Sequence, residues 1–213
     1  MATHFIYQGR QKMDFSKLIE RVKGILLSPK TEWEKIAAET TDVKSLYMGY
    51  AMILAAIPAI CGFIGSTVIG VSLPIVGTIR TGVAAALVQL VLSYVLGLAV
   101  IYVVSLIVNA LAPTFDGQKD PIQALKLVVY ASTPVWLAGV FSLVPLLGVL
   151  GILAGLYGLY LLYIGLTPLM KNPQDKSIGY TALIIVCYVV LAIIMGVIVA
   201  AVAGTGAALR GRI

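Results

Sequence analysis

The run from Leu127 to Met170 constrains this chain most. It holds 44 residues and no charged one. As one helix it would measure roughly 66 Å, about twice the ~30 Å hydrocarbon core of a bilayer. It must turn back on itself, and Ser142-Leu-Val-Pro145-Leu-Leu-Gly148 is the place where it can. The run therefore predicts two membrane-crossing helices joined by a tight turn.

Three further uncharged runs, Ser45–Ile79, Thr81–Phe115 and Ser177–Leu209, predict one crossing each. The expected fold is all-α: a polytopic membrane protein with spans near 46–70, 82–111, 121–143, 146–170 and 178–204. The composition agrees, with 60% hydrophobic and only 11% charged residues, where soluble domains carry about 25% charged. A membrane β-barrel is excluded, because its strands would alternate over about ten residues and these runs do not.

The net charge of +6 is distributed, not clustered. Twelve of the fifteen Lys and Arg fall on one side: eight before the first span, Lys119 between spans two and three with Lys126 just inside span three, and Lys171 and Lys176 between spans four and five. Arg80, Arg210 and Arg212 fall on the other side. The positive-inside rule then places the N-terminus in the cytoplasm and the C-terminus outside. The charge is no nucleic-acid signal. The only histidine is His4, and Cys61 and Cys187 both lie in expected spans, so no metal site, cofactor or disulfide framework is expected. No cleavable leader is expected either, since the chain stays polar for over forty residues before its first apolar run.

Four segments are expected: a disordered 1–13, cytoplasmic interfacial amphipathic helices over 14–44, the five-helix domain over 45–204, and an external tail over 205–213. In the second segment Phe15, Leu18, Ile19, Val22, Ile25 and Leu26 share one helical face, with Lys17, Glu20, Arg21 and Lys23 on the other. Ser28-Pro29 ends that helix, and Thr31 with Glu34 is spaced as a capping box for a second, which carries Trp33. The pair is expected to meet lipid, with Lys17, Arg21 and Lys23 toward anionic headgroups, or to pack on the span ends as elbows. Both arrangements stay open.

Within the spans, Pro58 and Pro134 are expected to kink their helices. Asp120-Pro121 reads as a helix start, and Lys126 one turn later is placed to snorkel to the interface. Span two is the most polar: Gln89, Ser93 and Gly97 share one face, and Tyr94, Tyr102, Ser105 and Asn109 an adjacent strip. With Tyr157, Tyr160 and Tyr163 these residues are candidates to line a cavity. Interhelical hydrogen bonds and aromatic belts are the plainer reading of the same residues. Gly148, Gly151, Gly155, Gly158 and Gly165 form a small-residue stripe on span four, and Ala192, Gly196 and Ala200 a second on span five. Such stripes let another helix approach closely.

Three segments carry a resemblance: Tyr130-Ala-Ser-Thr-Pro134, Val144-Pro145-Leu-Leu-Gly148, and Leu156-Tyr157 through Tyr163-Ile-Gly165-Leu. With the lead-in Ile25-Leu-Leu-Ser-Pro29-Lys-Thr-Glu-Trp33-Glu-Lys-Ile, they resemble the Yip1 family in its bacterial form, over about Arg21 to Val202. The eukaryotic branch carries Asp-Leu-Tyr-Gly-Pro before its first span. Here Leu46-Tyr47 and Gly49 stand without the proline, and Asp42 lies further back. The resemblance implies a polytopic inner-membrane protein with no established activity.

Two functions fit these residues. One is a non-enzymatic protein acting by helix or protein association in membrane organisation or trafficking-type roles, with a homo-oligomer or a membrane-protein partner. The other is an uncoupled transporter, channel or lipid-handling protein, its path lined by spans two and four. An intramembrane enzyme is not expected, because no His, Asp or Glu at membrane depth accompanies the Ser, Cys and Tyr hydroxyls and thiols.

Overall fold

A computed structural model describes residues 15–73, 77–143 and 147–210. The expectations for 1–13, for His4 and Arg212, and for the Val144-Pro145-Leu146 centre of the hairpin turn lie outside these residues. Two helices, α1 (Phe15–Leu27) and α2 (Pro29–Ala38), lead into five helical segments long and apolar enough to cross a bilayer. These are span 1 (Val43–Ile69), span 2 (Val83–Phe115), span 3 (Pro121–Leu143), span 4 (Val149–Met170) and span 5 (Gln174–Ala201). The expected five-span helical architecture holds. One detail differs: the loop between spans 1 and 2 carries a two-stranded antiparallel ribbon, β1 (Val71–Leu73) with β2 (Gly77–Ile79), Ser72 opposite Thr78.

Span 3 is the axis of the bundle. Of its apolar window 61% is buried, against 6% for span 5. It packs on spans 1, 2 and 4, while span 5 packs on spans 2 and 4. Its start follows from local chemistry: the Asp120 carboxylate accepts from the backbone N–H of Ile122 and of Gln123, both at 3.0 Å, with Pro121 in the first turn. Its interruption does too. The helix breaks at Ser132, whose hydroxyl donates to the Val128 carbonyl at 2.7 Å, and resumes at Thr133 with the buried Pro134.

Spans 1 and 3 come close enough to exclude side chains. A Cβ added to Gly139 would stand 2.5 Å from Cβ of Pro58, and one on Gly65 would stand 2.4 Å from the Ser142 carbonyl oxygen. Pro58 stays inside a continuous helix, flanked by π-helical turns at Tyr47–Ala51 and Gly65–Ile69.

The second helix starts earlier than its capping pattern suggests. Pro29 takes the first turn, and the Thr31 hydroxyl donates to the Ser28 carbonyl at 3.0 Å. Thr31 is therefore inside the helix, and Glu34 is exposed rather than closing a capping box. Proline at the first turn is pre-set for helical geometry, which moves the boundary forward.

Candidate functional site

The most structured polar site lies where α1 and α2 dock on spans 3 and 4. Ile25, Trp33 and Ile36 are fully buried there, so the pair is bound to the bundle through its apolar side. Trp33 packs on Gly165 of span 4 and meets Tyr130 edge-on, ring centroids 6.4 Å apart. Tyr130 also stands edge-on to Tyr50 of span 1 at 4.8 Å, and the Tyr50 hydroxyl shares a 2.8 Å hydrogen bond with Thr133.

Charges close this aromatic cluster. Arg21 donates to Glu32 at 2.6 Å and to Glu39, and its guanidinium lies 5.6 Å from the centroid of the Tyr130 ring. Glu32 is buried, with Lys35 as its second cation at 3.2 Å. Burial works against the Arg21 charge, but the hydrogen bond to Glu39 and the nearby negative groups outweigh it, and its pKa is raised. Gly24 makes room for the Glu32 carboxylate, because a Cβ there would come 2.4 Å from its carboxyl carbon. Lys126 does not snorkel outward as its position suggested. It is 2% exposed, and its ammonium donates to the backbone carbonyls of Ile36, at 2.8 Å, and Glu39. Gln123 donates to Ala37 at 2.9 Å, so span 3 caps the C-terminus of α2 with two side chains.

The expected cavity residues divide. Ser93 and Tyr94, with Gly97, line a half-open groove of about 250 Å³ closed by Ala55, Pro58, Ala59 and Trp136. Their hydroxyls are satisfied locally, Ser93 to the Leu90 carbonyl at 3.1 Å and Tyr94 to that of Met52 at 3.0 Å. Gln89, Tyr102 and Tyr160 are exposed, and Tyr163 is half-buried. Asn109 keeps its side-chain oxygen buried without a protein partner. Tyr157 reaches α1, donating to the Leu26 carbonyl at 2.7 Å. The groove lies between spans 1, 2 and 3. Spans 2 and 4 each pack on span 3 and make no extensive contact with each other.

The small residues divide as well. Gly158 lies against the Ala131 carbonyl, 2.9 Å from its notional Cβ, and Gly165 against Trp33 and Leu127. Gly151, Gly155 and Gly196 have nothing within 4 Å, and Ala192 and Ala200 are exposed. Gly148 begins the span 4 helix. Of this polar cluster, Glu32, Glu39 and Thr133 were not expected from sequence, while Arg21 was expected to face headgroups and Lys126 to snorkel to the interface. Its one advance signal was the pairing of Trp33 with flanking acids on a short helix.

A Yip1 domain model matches residues 23–204. The chain belongs to the Yip1 family. The matched range includes α2 and all five spans, with Glu32, Glu39 and Lys126 of the polar dock but not Arg21, and within it the segments Ile25–Ile36 and Tyr130–Pro134 meet through Trp33 and Tyr130. Over 133 residues the chain is 31% identical to inner membrane protein YohC of Escherichia coli K12, covering 60% of this chain and 66% of that relative. YohC of Escherichia coli O6:H1 matches with the same identity and extent. The match thus spans just under two thirds of these relatives' length. No solved structure matches.

Proposed function

We propose that this Yip1-family protein is a non-enzymatic component of a bacterial inner membrane, N-terminus in the cytoplasm, that acts by helix association with a second copy or another membrane protein. One contrast carries this reading. Gly158 and Gly165 of span 4 are filled by neighbours within the chain, whereas Gly151 and Gly155 on the same helix, and Gly196 on span 5, face open space. In a bilayer no hydrophobic force drives helices together, and bare glycine faces are where backbones meet closely. The inner-membrane setting of the YohC relatives supports the location, and the excess of Lys and Arg on one side supports the orientation.

The test is the oligomeric state of the full-length protein in bilayers, read by single-molecule photobleaching. Wild type is expected to associate. Gly151→Leu with Gly155→Leu is expected to abolish association at an unchanged melting temperature, since a Cβ at either position has no atom of the chain within 4 Å. A monomeric wild type, or a variant that still associates, would overturn the reading.

A second reading rests on the groove between spans 1, 2 and 3. At about 250 Å³ it suits an apolar or amphiphilic chain, and supports lipid handling without ion coupling. Liposome flux that is lost on Gly97→Leu would favour it, and flux equal to that of empty vesicles would remove it.

A further inference from the structure

Helix α1 is apolar on two sides. Leu18, Val22 and Leu26 pack, with Ile25, against the core. A second stripe at i, i+4 spacing, Phe15, Ile19, Lys23 and Leu27, points outward. Its apolar members are 63%, 51% and 79% exposed. A helix lying in water would not present that stripe.

Its height is set by Tyr157. That residue lies about halfway along span 4, and its hydroxyl holds the Leu26 carbonyl at the closed end of the α1–α2 hairpin. α1 also touches the second half of span 3 below the Ser132 break. If span 4 crosses a ~30 Å core, the hairpin tip stands below the headgroup level of one leaflet. Beside it span 4 exposes Leu156 at 59%.

Charge completes the match. Arg21 is committed to Glu32 and Glu39 and is not free for a headgroup. Lys17, Lys23 and, beside the hairpin tip, Lys30 are exposed and form no ion pair among the described residues. Their long stems can run along apolar surface while the ammonium rises to the headgroup level.

We infer that the α1–α2 hairpin is inserted into one leaflet and binds an anionic phospholipid there, with acyl chains against Phe15, Ile19 and Leu27 and the phosphate headgroup held by Lys17 and Lys23. This inference does not depend on helix association.

The test uses the full-length protein in phosphatidylcholine bilayers with and without phosphatidylglycerol. A nitroxide at Leu27→Cys, in a Cys61→Ala, Cys187→Ala background, is expected to collide with oxygen and to be shielded from an aqueous nickel chelate. Nickel access would overturn insertion, and shielding from both would mean that protein, not lipid, covers the face. Spin-labelled phosphatidylglycerol is expected to be preferred over phosphatidylcholine. Lys17→Gln with Lys23→Gln should reduce that preference about fivefold per lysine, the factor equivalent to about 1 kcal/mol per basic residue near an anionic surface. No reduction, or an equal one from the exposed Lys171→Gln, would overturn the headgroup assignment.

Discussion

The ammonium of Lys126 donates to the backbone carbonyl of Ile36 at 2.8 Å, across ninety residues of sequence. With Glu39 as second acceptor, this buried lysine closes the end of α2 and ties it to the central span. A cation at a helix C-terminus is favoured by the helix dipole and by the unpaired carbonyls there. Lys126→Met should leave those carbonyls without a donor in a buried place, at about 1–3 kcal/mol. The expected result is a lower melting temperature and faster amide exchange at the C-terminal turn of α2. Unchanged exchange there would show that Gln123 alone suffices.

Arg21 and Glu32 form the buried half of the dock, with side chains 17% and 8% exposed. The Arg21–Glu39 contact is nearer water, since Glu39 is 47% exposed, and adds less. Arg21→Met should therefore act mainly through Glu32, leaving a buried carboxylate with only the exposed Lys35. Losing one partner of a buried pair costs about 3–5 kcal/mol. α1 is expected to be released to protease, and Arg21→Met with Glu32→Met should restore much of its protection. If the double variant is as labile as the single one, the pair is not what holds α1.

The five spans were legible because a bilayer imposes length and apolarity, and both are written in uncharged runs such as Leu127–Met170. Neighbours were not legible. Hydropathy does not say that span 3 is central, although its mean hydropathy of 1.5, the lowest of the five, fits a helix that meets protein more than lipid. The glycine period on span 4 defined a face, but not that Gly158 and Gly165 are filled while Gly151 and Gly155 are open. Likewise Arg21 looked available to lipid from its helical face, because its acidic partners lie on another helix. The polar strip of span 2 dissolved for a similar reason: Ser93 and Tyr94 bond to nearby carbonyls, while Gln89 faces outward.

Span 1 carries a pH-dependent start. The Asp42 carboxylate accepts from the Ser45 N–H at 3.3 Å, and this bond holds its pKa below the ordinary carboxylate value. A depressed acid pKa gives a contribution present above the unfolded-state pKa and lost as pH falls through the folded one. Protection of the Ser45 amide should thus persist at neutral pH and decline only in acid. Asp42→Ala should be less protected throughout and show no such decline. A wild-type protection factor flat into strong acid would remove Asp42 as the cap.

Gly139 allows the approach of spans 1 and 3. Its notional Cβ would meet Cβ, Cα and N of Pro58 at 2.5, 2.6 and 2.8 Å. Two of those atoms are main chain, so no rotamer change can relieve the contact. Gly139→Ala should force the spans apart and cost about 1–3 kcal/mol, the usual range for overpacking. Pro58→Ala should not rescue it, because alanine keeps the same three atoms. Gly62→Ala on span 1 meets nothing within 4 Å and is expected to melt like wild type. The comparison of these variants by thermal melting in detergent separates close helix approach from general loss of glycine. Equal melting of Gly139→Ala and Gly62→Ala would mean that the crossing of spans 1 and 3 is looser than its geometry implies.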